Sequence, residues 1–130
     1  MVEVGMTRKI LVTGAHGFVG TNLIKRLLKD GHEIVSVDNY STGKKENQQD
    51  GCVYHDIDIS KTSLLYMDWM KPDIIYHMAA RARIQPSIDN PHRTFESNTI
   101  GTENILEYAR NENIPVVYAG SSSVHGDIYA

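Results

Sequence analysis

Short apolar runs alternate with longer stretches of helical period along this chain. Ile10-Leu11-Val12-Thr13, Ile34-Val35-Ser36-Val37, Val53-Tyr54-His55, Ile74-Ile75-Tyr76-His77-Met78-Ala79 and Pro115-Val116-Val117-Tyr118 are rich in β-branched and aromatic residues and have strand length. Phe18, Leu23, Ile24, Leu27 and Leu28 recur every three or four positions, which predicts a helix over 18–30 with Gly31 as its C-terminal cap. Residues 39–51 are polar and read as a loop. Ser60 stands where an N-cap belongs for a second helix carrying Leu64, Leu65, Met67 and Trp69. Pro72 disfavours helical geometry at Lys71, so that helix is expected to stop near Met70. Phe95, Ile100, Ile105, Leu106 and Ala109 fit one long helix over 94–111.

Strands alternating with helices are the pattern of successive βα units. With right-handed crossovers they predict an α/β fold, a Rossmann-type doubly wound parallel sheet of strand order 3-2-1-4-5 that ends after its fifth strand. A chain of 130 residues suffices for one such domain. Residues 1–7 read as a disordered leader and 8–130 as the domain. Open sheets of this kind gather ligands at the carboxyl ends of their strands, so the turns that follow the strands are where chemistry is expected.

Thr13-Gly14-Ala15-His16-Gly17-Phe18-Val19-Gly20 lies where the first strand gives way to the first helix, with glycines spaced Gly-x-x-Gly-x-x-Gly. Gly14 permits a tight turn, Gly17 lets the backbone approach a pyrophosphate, and Gly20 lets helix and strand pack closely. The amides around Gly17, Phe18 and Val19 then face the phosphates, where the helix dipole adds roughly 0.3–1 kcal/mol per exposed charge. Glycines at this spacing also suit a turn that merely packs well. Context favours the nucleotide, because Asp38 follows the second strand. A carboxylate there can accept from both hydroxyls of an adenosine ribose, each charge-assisted bond contributing about 1.5–3 kcal/mol. The same charge repels a 2′-phosphate, by about 4 kcal/mol for unit charges 4 Å apart at an effective dielectric of 20. NAD is therefore the expected cofactor in preference to NADP. The competing role for Asp38 is to open the turn Asp38-Asn39-Tyr40-Ser41.

Composition narrows the partners. A net charge of −3 and a pI near 6.0 leave no basic footprint for nucleic acid or an anionic membrane, and no apolar run is long enough to span a bilayer. One cysteine, Cys52, makes no internal disulfide and no Cys-x-x-Cys pair, which fits a cytoplasmic setting. Histidines 16, 32, 55, 77, 92 and 125 form no pair at i, i+4, so no metal is expected. Arg83 and Ser87 follow the fourth strand, where Arg83 is suited to meet a substrate diphosphate.

From Lys9 to Gly126 the sequence resembles the extended short-chain dehydrogenase/reductases, especially the nucleotide-sugar epimerases and dehydratases. The resemblance rests on Thr13–Gly20 and on Asp38-Asn39-Tyr40-Ser41-Thr42-Gly43, similar to a stretch that holds ribose and phosphate in epimerases and implies phosphate contacts for Thr42 and Gly43. It rests also on Asp56-Ile57, which match the family's adenine contact, and on His77-Met78-Ala79-Ala80, where small side chains let the cofactor lie against the backbone. Asn98 matches an asparagine near the active site that keeps the long helix locally open. Ser121 falls on the active-site Ser/Thr, while Ser122 and Ser123, on the substrate side, stand where 4,6-dehydratases carry Asp and Glu, which argues against dehydration.

The resemblance implies transient oxidation of a sugar hydroxyl by NAD, with a nucleotide sugar as substrate. It also implies a Tyr-x-x-x-Lys pair as acid/base, and these residues lack one: Tyr129 is too close to Ser121, no lysine follows, and Tyr40 and Lys44 sit in the cofactor loop. The chain is thus expected to be an incomplete cofactor domain, inactive alone, without its substrate domain. Family members often dimerise through the helix here spanning 94–111 and its successor, and an uncovered fifth strand invites self-association. The competing readings are a non-catalytic NAD-binding module and a piece of a nucleotide-sugar decarboxylase or dehydratase.

Overall fold

The computed structural model describes residues 6–39, 43–67 and 71–127. Its sheet has the expected order, β3-β2-β1-β4-β5. The strands are β1 (Lys9–Thr13), β2 (Glu33–Asp38), β3 (Cys52–Asp56), β4 (Ile74–His77) and β5 (Val116–Tyr118), and every pairing is parallel. Central β1 is covered on both faces, which is why its residues from Ile10 to Thr13 are all buried and its sequence shows a continuous apolar run rather than alternation. Leu11, Val37 and Ile75 point to one face, packed with Ile59, Leu64, Ile105 and Tyr108. Ile10, Val12 and Ile34 point to the other, against Ile24 and Leu27 of α1 (Phe18–Lys29). The register sets Thr13 beside Val37 on one side and His77 on the other, so the carboxyl ends of β1, β2 and β4 finish level and their turns meet.

Two segments depart from the expected elements. No helix spans the region from Ser60 to Met67; a single 3-10 turn, Leu64–Tyr66, replaces it, and Ser63 rather than Ser60 caps that turn by accepting from Leu65 N. Ser60 is used locally instead: its amide and hydroxyl both donate to Asp58 Oδ1, at 3.0 and 2.6 Å, while Lys61 N and Thr62 N donate to the Asp58 carbonyl. Such short side-chain bonds offer the backbone an alternative to a helical ladder, and Leu64 still reaches the core. Trp69 and Met70, at the end of the expected helix, lie outside the described residues.

The second departure follows β4. The strand ends at His77 rather than Ala79, and the segment carrying Arg83 and Ser87 is no longer a loop throughout: α2 (Ile84–Asp89) includes Ser87. Its apolar residues gave no periodic signal of burial because Ile84 and Ile88 face outward, 78% and 66% exposed. Asn90 then caps α3 (Pro91–Phe95), accepting from Arg93 N at 3.2 Å with Pro91 in the first turn. A π-helical turn, Glu96–Ile100, joins α3 to α4 (Gly101–Glu112), so the long helix begins three residues earlier than expected and is widened in its middle. Asn113 ends it in the left-handed conformation at φ 55°. Among the described residues, no helix is long and apolar enough to cross a membrane.

Candidate cofactor site

Gly14 turns the chain out of β1 at φ +69°, and a Cβ there would lie 2.7 Å from Ala79 N, so the turn presses directly on the backbone leaving β4. Gly20 packs α1 against the same turn, facing the Gly14 carbonyl. Gly17 is different. It begins α1 with extended geometry (φ −75°) that any residue adopts, and a Cβ there would meet nothing nearer than Gly14 O at 3.5 Å. Gly17 has no side chain to cap the helix, and Thr21 N makes the first bond back to Gly17 O at 2.9 Å. The amides of Phe18, Val19 and Gly20 therefore precede the helix's own ladder. The Phe18 and Val19 side chains are 84% and 59% exposed, so these residues offer backbone to this end of the sheet rather than packing.

Asp38 closes β2 beside this turn. Its Oδ2 accepts from His16 N at 2.8 Å, and the buried His16 ring brings Nδ1 to 3.3 Å from the same oxygen. His16 packs against Tyr54, ring centroids 4.9 Å apart, and its carbonyl accepts from Asn47 Nδ2 and Lys44 N. Gly43 is pressed against His16, since a Cβ on it would come within 2.5 Å of His16 Cβ, so this glycine has a packing reason of its own. Thr42 lies outside the described residues.

A buried polar chain fixes the opposite wall. Thr13 Oγ1 accepts from Met78 N at 3.1 Å and Ala79 N at 3.0 Å, which fills both its lone pairs. Its proton therefore goes to His77 Nδ1 at 2.7 Å, and His77 must be neutral with its own proton on Nε2, donated to Thr102 Oγ1 at 2.8 Å. Burial holds the His77 pKa down to about 4. Met78 N is shared between the Thr13 hydroxyl and the Thr13 carbonyl, at 3.3 Å, while Ala79 N is taken by the hydroxyl, and the pairing of β4 with β1 ends there. Asn98 braces the next stretch from within the π turn: its Oδ1 accepts from Arg81 N at 2.7 Å and its Nδ2 donates to Arg81 O at 2.9 Å. The amide grips the loop's backbone from both sides.

These walls enclose a cavity of about 90 Å³ lined by Gly14, Gly17, Asp38, Asn39, Ile57, Asp58, Ile59, Met78, Ala79, Ala80 and Ser97. A sequence profile of the NAD dependent epimerase/dehydratase family matches residues 10–129. The chain belongs to that family.

Its relatives include both epimerases and decarboxylases. Over 120 residues it is 36% identical to UDP-glucuronic acid decarboxylase 1 of Danio rerio, covering 92% of this chain and 29% of the decarboxylase. Its backbone matches a UDP-galactose 4-epimerase with a TM-score of 0.82 and 35% identity, covering 94% of this chain and 41% of that one. It matches the UDP-glucose 4-epimerase of Thermus thermophilus, in complex with NAD, with a TM-score of 0.80 and 32% identity, covering 87% and 37%. The chain thus spans well under half the length of these members of the epimerase/dehydratase family. NAD is the family's cofactor.

Not every residue marked from the sequence reaches the cavity. Asp56 ends β3 opposite Asp38 in register, exposed at the rim and outside the lining, whereas Asp58, two positions on, lines it. Burial raises the Asp58 carboxyl, but bonds from the Ser60 side chain and backbone, from Asn39, and the Lys61 charge outweigh it and hold the pKa below its ordinary value. Asp58, Ile59 and Ser97 were missed; a second acidic residue just after Asp56, with Ser60 two positions further, was the available signal for the first. Ser121 caps the 3-10 turn Ser122–His125 by accepting from Ser123 N at 3.1 Å, and Ser121, Ser122 and Ser123 are all exposed. Arg83 precedes α2 and is exposed, and Ser87 donates to Ile84 O at 2.6 Å. None of these five lines the cavity.

Proposed function

We propose that this chain is the NAD-binding portion of a nucleotide-sugar epimerase-like enzyme. The observation that carries the reading is the cavity shared by the glycine-rich turn, Asp38 and the Met78-Ala79-Ala80 wall. NAD fits the residues present, because the direction a Gly17 side chain would take is left open by the protein at the N-terminus of α1. Gly14, Gly17, Phe18, Val19 and Gly20 would receive the pyrophosphate, with Thr42 and Gly43 nearby. Asp38 and Asn39 would take the adenosine ribose, Asp56 and Ile57 the adenine, and Met78, Ala79 and Ala80 would lie along the dinucleotide. Asn98 serves that wall by holding Arg81 in place. When bound, NAD supplies a hydride acceptor for a sugar hydroxyl.

On the substrate side, Ser121 would hydrogen-bond the reacting hydroxyl, and Arg83, Ser87, Ser122 and Ser123 would face the nucleotide sugar. The acid/base pair and the rest of the sugar site are not among these residues, and without them no turnover is expected. A cytoplasmic setting, isomerase chemistry in the full enzyme and pairing through the helix spanning 94–111 belong to the same proposal. Titration calorimetry of the chain with NAD and NADP tests its core: NAD is expected to bind more tightly, and Asp38→Gly to remove the preference. Equal affinity of the parent for both cofactors overturns the assignment of Asp38.

A further inference from the structure

We infer that Ser97 is a further cofactor-binding residue, its hydroxyl donating to a ring nitrogen of adenine while the exocyclic amine beside it donates to Asp58. This assignment rests on the cofactor reading above, and it moves the base contact from Asp56, at the rim, to Asp58, in the cavity wall. A dinucleotide with its pyrophosphate at α1 and its ribose on Asp38 carries its base outward to the end of β3, the next strand of the sheet. Ile57 and Ile59 line the cavity there and offer apolar side chains to a flat ring. Asp58 stands between them in the chain. Ser60 N, Ser60 Oγ and the Asn39 side chain donate to its carboxylate and leave one of about four acceptor sites open.

α4 is seated on the same strand end. A Cβ on Gly101 would lie 3.1 Å from Ile59 Cγ1, and Asn104 Nδ2 donates to Ile59 O at 2.6 Å. The π turn that precedes α4 is thereby held beside Asp58, and Ser97 within it lines the cavity. Asn39, Asp58 and Ser97 also bound a smaller adjoining hollow of about 30 Å³, so the three stand together at one end of the cavity. A serine inside a helix often gives its proton to the carbonyl four residues back. Ser97 does not: half-buried, its hydroxyl makes no hydrogen bond among the described residues. A carboxylate with an open acceptor site beside a hydroxyl with an unspent proton matches adenine, whose exocyclic amine donates and whose neighbouring ring nitrogen accepts. In hypoxanthine an oxygen replaces that amine and would face the carboxylate.

Calorimetry on the whole chain, with a melting curve for each variant, separates binding from structure. The Ser97 hydroxyl contributes no bond to the fold, so Ser97→Ala is expected to keep the parent's melting temperature or raise it, alanine being the better helix former. Its NAD affinity is expected to fall about tenfold, the scale of one hydrogen bond, and to recover in Ser97→Thr, which restores the hydroxyl. Parental affinity in Ser97→Ala, or affinity and melting temperature lost together, overturns the inference. Nicotinamide hypoxanthine dinucleotide, with an oxygen in place of the amine, reads Asp58. The parent is expected to bind it about 10–100-fold more weakly than NAD, the scale of one hydrogen bond to a charged group. Asp58→Asn is expected to remove most of that preference and Asp56→Asn to keep it. A parent that takes both dinucleotides alike, or a preference lost with Asp56 and not with Asp58, overturns the inference and leaves NAD binding standing. A parent that binds neither defeats the cofactor reading, and this assignment with it.

Discussion

Acidification loads the buried His77 directly. The folded protein holds this imidazole near pKa 4, against about 6.5 for an ordinary histidine, because the ring is buried and its Nδ1 must accept from Thr13. A proton on Nδ1 would leave two donors facing each other. Since the folded-state pKa lies below the unfolded one, the unfolded chain takes up the proton first as pH falls. The stability supplied by a neutral His77 is therefore complete above about pH 6.5, lost progressively down to about pH 4, and level below that. A gap of about two and a half pH units at about 1.36 kcal/mol each gives a loss of at most about 3.4 kcal/mol, a large share of the total for a domain whose stability is typically about 5–15 kcal/mol. Urea unfolding followed by circular dichroism between pH 7 and 4 reads this loss, and His77→Asn, with no titrating ring, should flatten the slope in that window. The assignment fails if parent and variant lose stability in parallel, or if NMR titration of His77 shows a midpoint near 6.5.

Gly17→Val is expected to abolish NAD binding while helix content by circular dichroism stays that of the parent, because φ −75° suits valine and the nearest atom to its Cβ is 3.5 Å away; parental NAD affinity would refute the phosphate cradle. Asn98→Ala removes both bonds to the Arg81 backbone and should cost about 1–3 kcal/mol in urea unfolding, with hydrogen exchange accelerated at Arg81; parental protection there would refute the brace. Given NAD and a panel of UDP-, GDP- and dTDP-sugars, the purified chain should yield no epimer by NMR and no NADH by absorbance, since general-base catalysis, typically about 10²–10⁴-fold, has no Tyr-x-x-x-Lys pair after Ser121 in these residues to supply it. Turnover with host enzymes excluded would mean another group serves as base.

What the sequence revealed and what it hid divide by the range of the interaction. The strand order followed from alternation and crossover hand, and α1 from its apolar spacing, because both are local or nearly so. The helix expected after Ser60 failed for a local reason of the opposite kind: Asp58 and Ser60 satisfy each other before a helical ladder begins. α2 was invisible because its apolar residues face outward, leaving periodicity with nothing to report. The Thr13–His77–Thr102 chain joins residues 64 and 25 positions apart through single hydrogen bonds, and a contact of that kind leaves no repeat in the sequence.

The three glycines of the turn show how far a fold explains its own sequence. Gly14 and Gly20 are required by the protein: one has positive φ and presses on Ala79, the other faces the Gly14 carbonyl across the start of α1. A larger residue at either position would strain the turn whether or not anything were bound. Gly17 has neither constraint, since its backbone is ordinary and the space beyond its hydrogens holds no protein atom closer than 3.5 Å. Serine, threonine, aspartate or asparagine there would have capped α1, with about 1 kcal/mol to gain over a residue that offers no side-chain acceptor. A position where the fold tolerates a side chain and would profit from one, yet carries none, points to a demand from outside the chain. The free amides of Phe18 and Val19 just beyond it, with Asp38 across the cavity, give that demand the shape of a phosphate joined to a ribose.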